Sequence, residues 1–282
     1  MNILVTGGSG RIGRYVVRDL VAAGHTITNA DLAPVPGLPG RFLRVDLTDA
    51  GDVYQALTYT KSQAVVHLGA WADAGIVPDT RTYGDNVRGA YNVFHACANL
   101  GIQRIVYASS AQVYGFAQAA PVYVPVDENH PLRPCNSYAL AKVAAEQAAD
   151  YFVQQFGLNI LSFRFMGIRM PSEIAAEIEA MAKDPASGAW LLWTRTDARD
   201  AALACRLAIE ASEVPSGPYN ITGARVVLDQ PAADLVATYF GTRTILHTLP
   251  GYTSPLSIAR AQAAFGYNPR YVWSQTQYHP EI

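Results

Sequence analysis

The chain has 282 residues, 50% of them hydrophobic and 16% charged, with a formal net charge of -2. That apolar share can fill a sizeable core and excludes wholesale disorder, while the near-neutral charge argues against a basic nucleic-acid surface. Three scattered cysteines, Cys97, Cys135 and Cys205, exclude a disulfide scaffold, and no CxxC or His/Cys cluster has zinc spacing.

A reducing, cytoplasmic compartment and no metal are therefore expected. The opening MNILVTGGSG has no basic stretch and is broken at once by glycines, unlike a secretory leader. No apolar run approaches the roughly 20 residues of a membrane span, so no membrane association is expected.

Asn2–Thr6 reads as a short buried strand. Gly7, Gly8 and Gly10 break it, and Ile12, Val16, Val17, Leu20 and Val21 then recur with helical spacing until Gly24. Thr26–Asp31 and residues 41–45 read as the next strands, followed by a helix over 49–57 and a strand over 64–68. A long helix is expected from about 83 to 100, then a strand over 104–109. Asn136 or Ser137 caps a second long helix reaching Phe156, with Gly157 as its stop, and 159–164 reads as a sixth strand.

Strands alternating with helices imply parallel pairing and right-handed crossovers, the doubly wound α/β plan. Beyond Met166 the alternation loosens: helices are expected over 172–183 and 197–211, and a strand over 218–222 rejoins the sheet. The proline-punctuated remainder reads as compact but irregular. The expected organisation is a Rossmann domain over 1–165, with 190–222 rejoining it, and a small substrate lobe formed by 166–189 and 223–282.

The first turn reads Thr6-Gly-Gly-Ser-Gly-Arg-Ile-Gly13. Gly7, Gly10 and Gly13 permit a tight turn, close approach to a pyrophosphate and packing of helix on strand. Arg11 and Ile12 lie in the same loop, where the helix N-terminus presents backbone N–H groups to phosphate. A glycine triplet alone is weak, but here it stands between a strand and an amphipathic helix. Asp31, closing the second strand, is placed to accept hydrogen bonds from an adenosine ribose and to repel a 2′-phosphate, which favours NAD over NADP.

Tyr138-Ala-Leu-Ala-Lys142 lies in the helix that Asn136 or Ser137 opens, and its i, i+4 spacing puts both side chains on one face. A phenol titrating near ~10 is a poor base at neutral pH. A cation ~4 Å away at an effective dielectric of ~20 supplies ~4 kcal/mol, enough to lower it by 2–3 units. Ser109 and Ser110 end the fifth strand, where ligands of open α/β sheets lie, and a hydroxyl there can orient a substrate alcohol or carbonyl. His67 reads as a packed core histidine.

Together these pieces resemble an extended short-chain dehydrogenase/reductase of the NAD-dependent epimerase/dehydratase type. They are TGGSGRIG at 6–13, Asp31, Asp46-Leu47, HLGA at 67–70, Asn86, SSAQVYG at 109–115 and YALAK at 138–142. The resemblance implies that Asp46 and Leu47 flank the adenine, and that Leu68, Gly69 and Ala70 line the pyrophosphate and nicotinamide ribose. It implies that Asn86 supports the nicotinamide end, that Ser110 is the catalytic hydroxyl with Ser109 beside it, and that Tyr138 is the acid/base. Lys142 would hold the nicotinamide ribose, and a homodimer would form through helices 83–100 and 137–156.

Two departures bear on substrate. The stretch Arg164-Phe-Met-Gly-Ile-Arg-Met-Pro171 lacks the asparagine that nucleotide-sugar epimerases usually carry there, and Ala111-Gln112 replaces the acidic pair of 4,6-dehydratases. Arg164 and Arg169 are candidates to pair with a substrate carboxylate or phosphate, or with each other's neighbours in structural salt bridges. Trp71 is a candidate to shape a sugar site. The expected function is NAD-dependent oxidation or epimerisation of a sugar, sugar acid or nucleotide sugar; a dinucleotide-binding sensor without turnover is the alternative.

Overall fold

A computed structural model describes residues 1–280 of the chain. β1 (Asn2–Thr6) is followed by α1 (Gly13–Ala22), β2 (Thr26–Asp31), β3 (Arg41–Arg44), α2 (Ala50–Thr60), β4 (Ala64–His67), α3 (Asp79–Leu100) and β5 (Arg104–Ser110). Next come α4 (Ser137–Phe156), β6 (Asn159–Phe165), β7 (Ile168–Arg169), α5 (Pro171–Lys183), β8 (Thr196–Asp197), α6 (Ala198–Glu210) and β9 (Gly217–Ile221). Two short helices, α7 (Ala232–Phe240) and α8 (Ala259–Phe265), follow. The main sheet has seven strands in the order β3-β2-β1-β4-β5-β6-β9, and the β1–β2, β1–β4, β2–β3 and β4–β5 pairs are parallel. The order runs outward in both directions from β1, the doubly wound arrangement expected from the alternation of elements.

The chain divides into two compact units, the first made of Met1–Ser109, Asn136–Phe163 and Ala202–Pro218. Its core joins Leu4, Val65, Ile105 and Tyr107 of the sheet to Phe94 of α3 and Phe152 of α4. The Phe94 ring meets Tyr107 and Phe152 edge-on, with centroids 5.5 and 6.0 Å away. Helix α4 begins where Asn136 accepts from the Ala139 N–H at 2.8 Å, and ends at Gly157, whose φ of +67° most side chains resist. Helix α3 opens four residues before the expected start, because Pro78 needs no N–H of its own at a helix entrance.

The second unit comprises Ser110–Cys135, Arg164–Ala201 and the chain from Tyr219 onward. The stretch between α5 and α6 carries a 3₁₀ turn and β8, which pairs in parallel with β7. Trp193 is buried there, donating its indole N–H to the Pro185 carbonyl at 2.7 Å and packing against Tyr239 and Phe240 of α7. The proline-rich tail is more regular than expected. Pro231 stands at the entrance of α7, where a proline is tolerated because the first helical N–H groups lack intrahelical acceptors anyway.

Candidate active site

The turn between β1 and α1 is shaped by backbone crowding. Gly7 has a φ of +68°, and a Cβ there would lie 2.6 Å from the Gly69 nitrogen. A Cβ on Gly13 would meet the Gly7 carbonyl oxygen at 2.1 Å, whereas one on Gly10 would reach it only at 3.0 Å. At the start of α1 no side chain caps the helix and no acid occupies its first turn, leaving the positive end of the dipole open to an anion. The cradle therefore fits a dinucleotide pyrophosphate. Ile12 is half-buried at that helix entrance and Arg11 is exposed beside it.

Asp31 is tied to the same turn: its carboxylate accepts from the Ser9 N–H at 3.0 Å and the Leu32 N–H at 2.7 Å. Ser9 in turn receives Asn29 Nδ2 at 2.9 Å and donates to the Ala33 carbonyl at 2.6 Å. The Asp46 carboxylate accepts from both the N–H and the hydroxyl of Thr48, and those bonds hold it below the usual carboxylate range. Leu47 fills the space over two glycines, lying 2.4 Å from where a Cβ of Gly69 would stand and 3.2 Å from that of Gly89. After β4, the Leu68 N–H bonds the Thr6 carbonyl and the Gly69 N–H bonds the Thr6 hydroxyl. Ala70 leads to Trp71, whose backbone N–H and carbonyl are both bonded by the Asn86 amide at 2.8 and 3.0 Å. The Trp71 indole donates to Asp85 at 2.9 Å, with the Arg81 guanidinium 5.4 Å from its ring.

Tyr138 and Lys142 are both buried on α4, at 8% and 3% exposure. Lys142 Nζ donates to the Ala108 carbonyl of β5 at 2.6 Å and stands 5.5 Å from the centre of the Tyr138 ring. Burial pushes the amine down to about 7, which the sequence alone did not anticipate: a lysine placed to lower a phenol's pKa is itself losing charge. His67 shares a 2.6 Å hydrogen bond with Thr6 and stacks on Tyr107; burial pushes it down to about 3, so it is a neutral packing residue at physiological pH.

At the end of β5, Ser109 donates to the carboxylate of Glu146, which lies one turn beyond Lys142. Sequence reasoning passed over Glu146. The available signal was its position, an acid at i+4 from Lys142 on an otherwise alanine-rich face. Ser110 is buried and accepts from the Gln112 N–H at 3.2 Å, capping a 3₁₀ turn.

The two candidate substrate arginines belong to the second unit, and both have protein partners. Arg164 is buried and donates to the Tyr114 hydroxyl and the Glu128 carbonyl, each at 3.0 Å. Arg169 Nε donates to Glu177 at 2.5 Å, and Glu177 accepts from Arg195 Nε at 2.5 Å with its other oxygen. In the same unit Ala111, Gln112, Phe116, Cys135, Trp190 and Leu191 line a small surface depression. No His/Cys/Asp/Glu cluster suited to a metal occurs among the described residues.

A sheet that winds both ways from β1, with a glycine turn at the carboxyl end of that strand, defines the Rossmann class of dinucleotide-binding folds. Residues 3–222 match the NAD dependent epimerase/dehydratase family, and the chain belongs to it. A UDP-glucose 4-epimerase of Lacticaseibacillus casei is 30% identical over 180 residues, covering 60% of this chain and 52% of the relative. A uronate dehydrogenase of Pseudomonas putida is 25% identical over 163 residues, covering 57% and 59%. The chain spans about half the length of the curated epimerases it matches. Among solved structures, a short-chain dehydrogenase/reductase superfamily protein of Agrobacterium tumefaciens with bound NAD superposes with a TM-score of 0.74 at 25% identity, over 96% of this chain and 93% of that one. A Thermotoga maritima UDP-glucose 4-epimerase has the same fold, with a TM-score of 0.73 at 21% identity over 96% and 94%.

Proposed function

We propose that the protein is an NAD-dependent oxidoreductase or epimerase acting on a sugar, sugar acid or nucleotide sugar. The observation that carries this is the buried Tyr138–Lys142 pair on α4, with Lys142 held on the strand that ends in Ser109 and Ser110. Gly7, Gly10 and Gly13 would hold the pyrophosphate and Asp31 the adenosine ribose. Leu47 and Asp46 would bound the adenine, and Leu68, Gly69, Ala70 and Asn86 the far half of the molecule. When bound, NAD supplies a nicotinamide ring able to take up a hydride and, in an epimerase, return it.

The remaining work falls to the protein. Tyr138 takes the proton from a substrate hydroxyl, and Ser110 donates a hydrogen bond that orients the same oxygen. Lys142, as an ammonium, stabilises the phenolate electrostatically. Its burial strengthens that attraction and also opposes its own charge. The contacts of Arg164 and Arg169 support structural roles, so anion recognition need not fall to them. The similarity to a uronate dehydrogenase supports a compact substrate among these. Exposed Tyr83 and Tyr91 on α3 with Leu140 and Tyr151 on α4 support pairing with a second copy through these helices. Free, buried Cys97 and Cys205 accord with a reducing cytoplasm, and no helix of the described residues is long and apolar enough to cross a membrane.

Tyr138→Phe tests the assignment. Turnover across a panel of sugars, sugar acids and nucleotide sugars should fall by about 10²–10⁴-fold while NAD still binds. Stoichiometric NADH marks a dehydrogenase, and isomerised product without net NADH marks an epimerase. A Phe variant as active as the parent sinks the mechanism. A parent that binds NAD yet is silent across the panel supports the sensor instead.

A further inference from the structure

Helix α4 carries three buried polar side chains at successive turns: Tyr138, Lys142 and Glu146. The reaction proposed above uses the first two and leaves Glu146 unexplained. A carboxylate at 8% exposure persists in a core only with partners that offset its lost hydration. One partner is Ser109, whose hydroxyl donates to it. Lys142 is on the same helix one turn away, where i, i+4 side chains meet. Its Nζ is bonded to Ala108, the residue before Ser109. Two consecutive residues of β5 thus hold the Lys142 amine and the Glu146 carboxylate, one each.

The surroundings of the amine otherwise offer little that favours charge. The ring centres of Tyr107 on β5 and Tyr138 on α4 lie 4.9 and 5.5 Å from Nζ, and His67 of β4 is near enough to feel its charge. Tyr107 and His67 are uncharged at neutral pH, and Tyr138 is the group whose charge the reaction itself changes. We propose that Glu146 is a positioning residue for Lys142: its carboxylate, anchored by Ser109, supplies a standing negative charge that raises the share of the buried amine present as ammonium. Burial draws the lysine down to about 7 and Glu146 opposes that fall, in line with the geometry. Without the carboxylate, the amine would meet Tyr138 largely as a neutral group at physiological pH. The proposal rests on the role given above to Lys142.

The chain has only three lysines, Lys61, Lys142 and Lys183, and two of them are exposed. Lysine labelled with ¹³C at Cε therefore gives three resonances, and Lys142→Arg identifies the buried one by its loss. Titrating the parent, Glu146→Gln and Glu146→Asp, without substrate or NAD, reads the lysine directly. In Glu146→Gln the Lys142 midpoint should fall by about one unit, a tenfold change worth about 1.4 kcal/mol. In Glu146→Asp, whose shorter side chain draws the charge away from Nζ, it should fall by less. A midpoint equal to the parent's in either folded variant overturns the proposal. If Glu146→Gln fails to fold, Glu146→Asp decides alone. Because the readout needs no turnover, a silent substrate panel leaves it standing. An unmoved midpoint in an enzyme that still depends on Tyr138 removes Glu146 and leaves the chemistry.

Discussion

Gly13→Ala offers a direct test of the cradle. The added Cβ would stand 2.1 Å from the Gly7 carbonyl oxygen, 2.6 Å from Gly8 Cα and 2.8 Å from the Gly8 carbonyl carbon. All three are backbone atoms, so no side chain can swing aside, and the turn has to move by roughly an ångström to restore ordinary contact. Overpacking of this kind costs about 1–3 kcal/mol. In a chain of this size that lowers the melting temperature by roughly 3–10 °C. The same displacement pulls backbone N–H groups off the pyrophosphate. Hydrogen bonds to a charged group are worth about 1.5–3 kcal/mol each, so NAD affinity should fall by about ten- to a hundredfold for each one lost. Gly84→Ala, within α3, is the control: its Cβ would meet nothing within 4 Å. Replacing a helical glycine there should gain up to about 1 kcal/mol and leave NAD binding unchanged. Thermal melting and calorimetric titration with NAD read both variants. If Gly13→Ala matches the parent in both, or Gly84→Ala falls with it, steric crowding does not shape this turn.

Two further outcomes concern the second unit. Glu177→Gln leaves the Arg169 and Arg195 guanidiniums facing each other without their shared carboxylate. Losing one partner of a fully buried pair costs about 3–5 kcal/mol, and the partial exposure of Glu177 reduces this to about 1–3 kcal/mol. Urea unfolding should show that loss, and an unchanged midpoint would assign the cluster no stabilising role. Asp200 accepts from the Arg270 and Tyr271 N–H groups, and burial raises its carboxyl to about 6. The folded chain therefore binds this proton more tightly than the unfolded one. The contribution is complete below the unfolded value of about 4 and is lost as pH rises through about 6. Relative to the parent, Asp200→Asn should gain about 3 kcal/mol between pH 4 and 7, read as the difference in unfolding free energy. A pH-independent difference would contradict the buried-acid account.

Local pattern alone carried much of this protein. Period-3.6 apolar spacing after Gly13, β-branched runs at Asn2–Thr6 and Thr26–Asp31, and the cap at Asn136 each act through neighbours in sequence. Glycine spacing and the Tyr138–Lys142 step are likewise short-range, and they pointed to the family that residues 3–222 match. The tail was expected to be irregular and holds α7, which opens at Pro231, because the same ring that stops a helix also suits its entrance. What only tertiary structure decided is the electrostatic state of the groups. The charge on Lys142 depends on being sealed beneath Tyr107 and Tyr138. Glu146 finds its donor in Ser109, 37 positions away, and Arg169 and Arg195 converge on one carboxylate. Hydration, and hence pKa, is set by which distant segments exclude water from a side chain, and no local spacing encodes that.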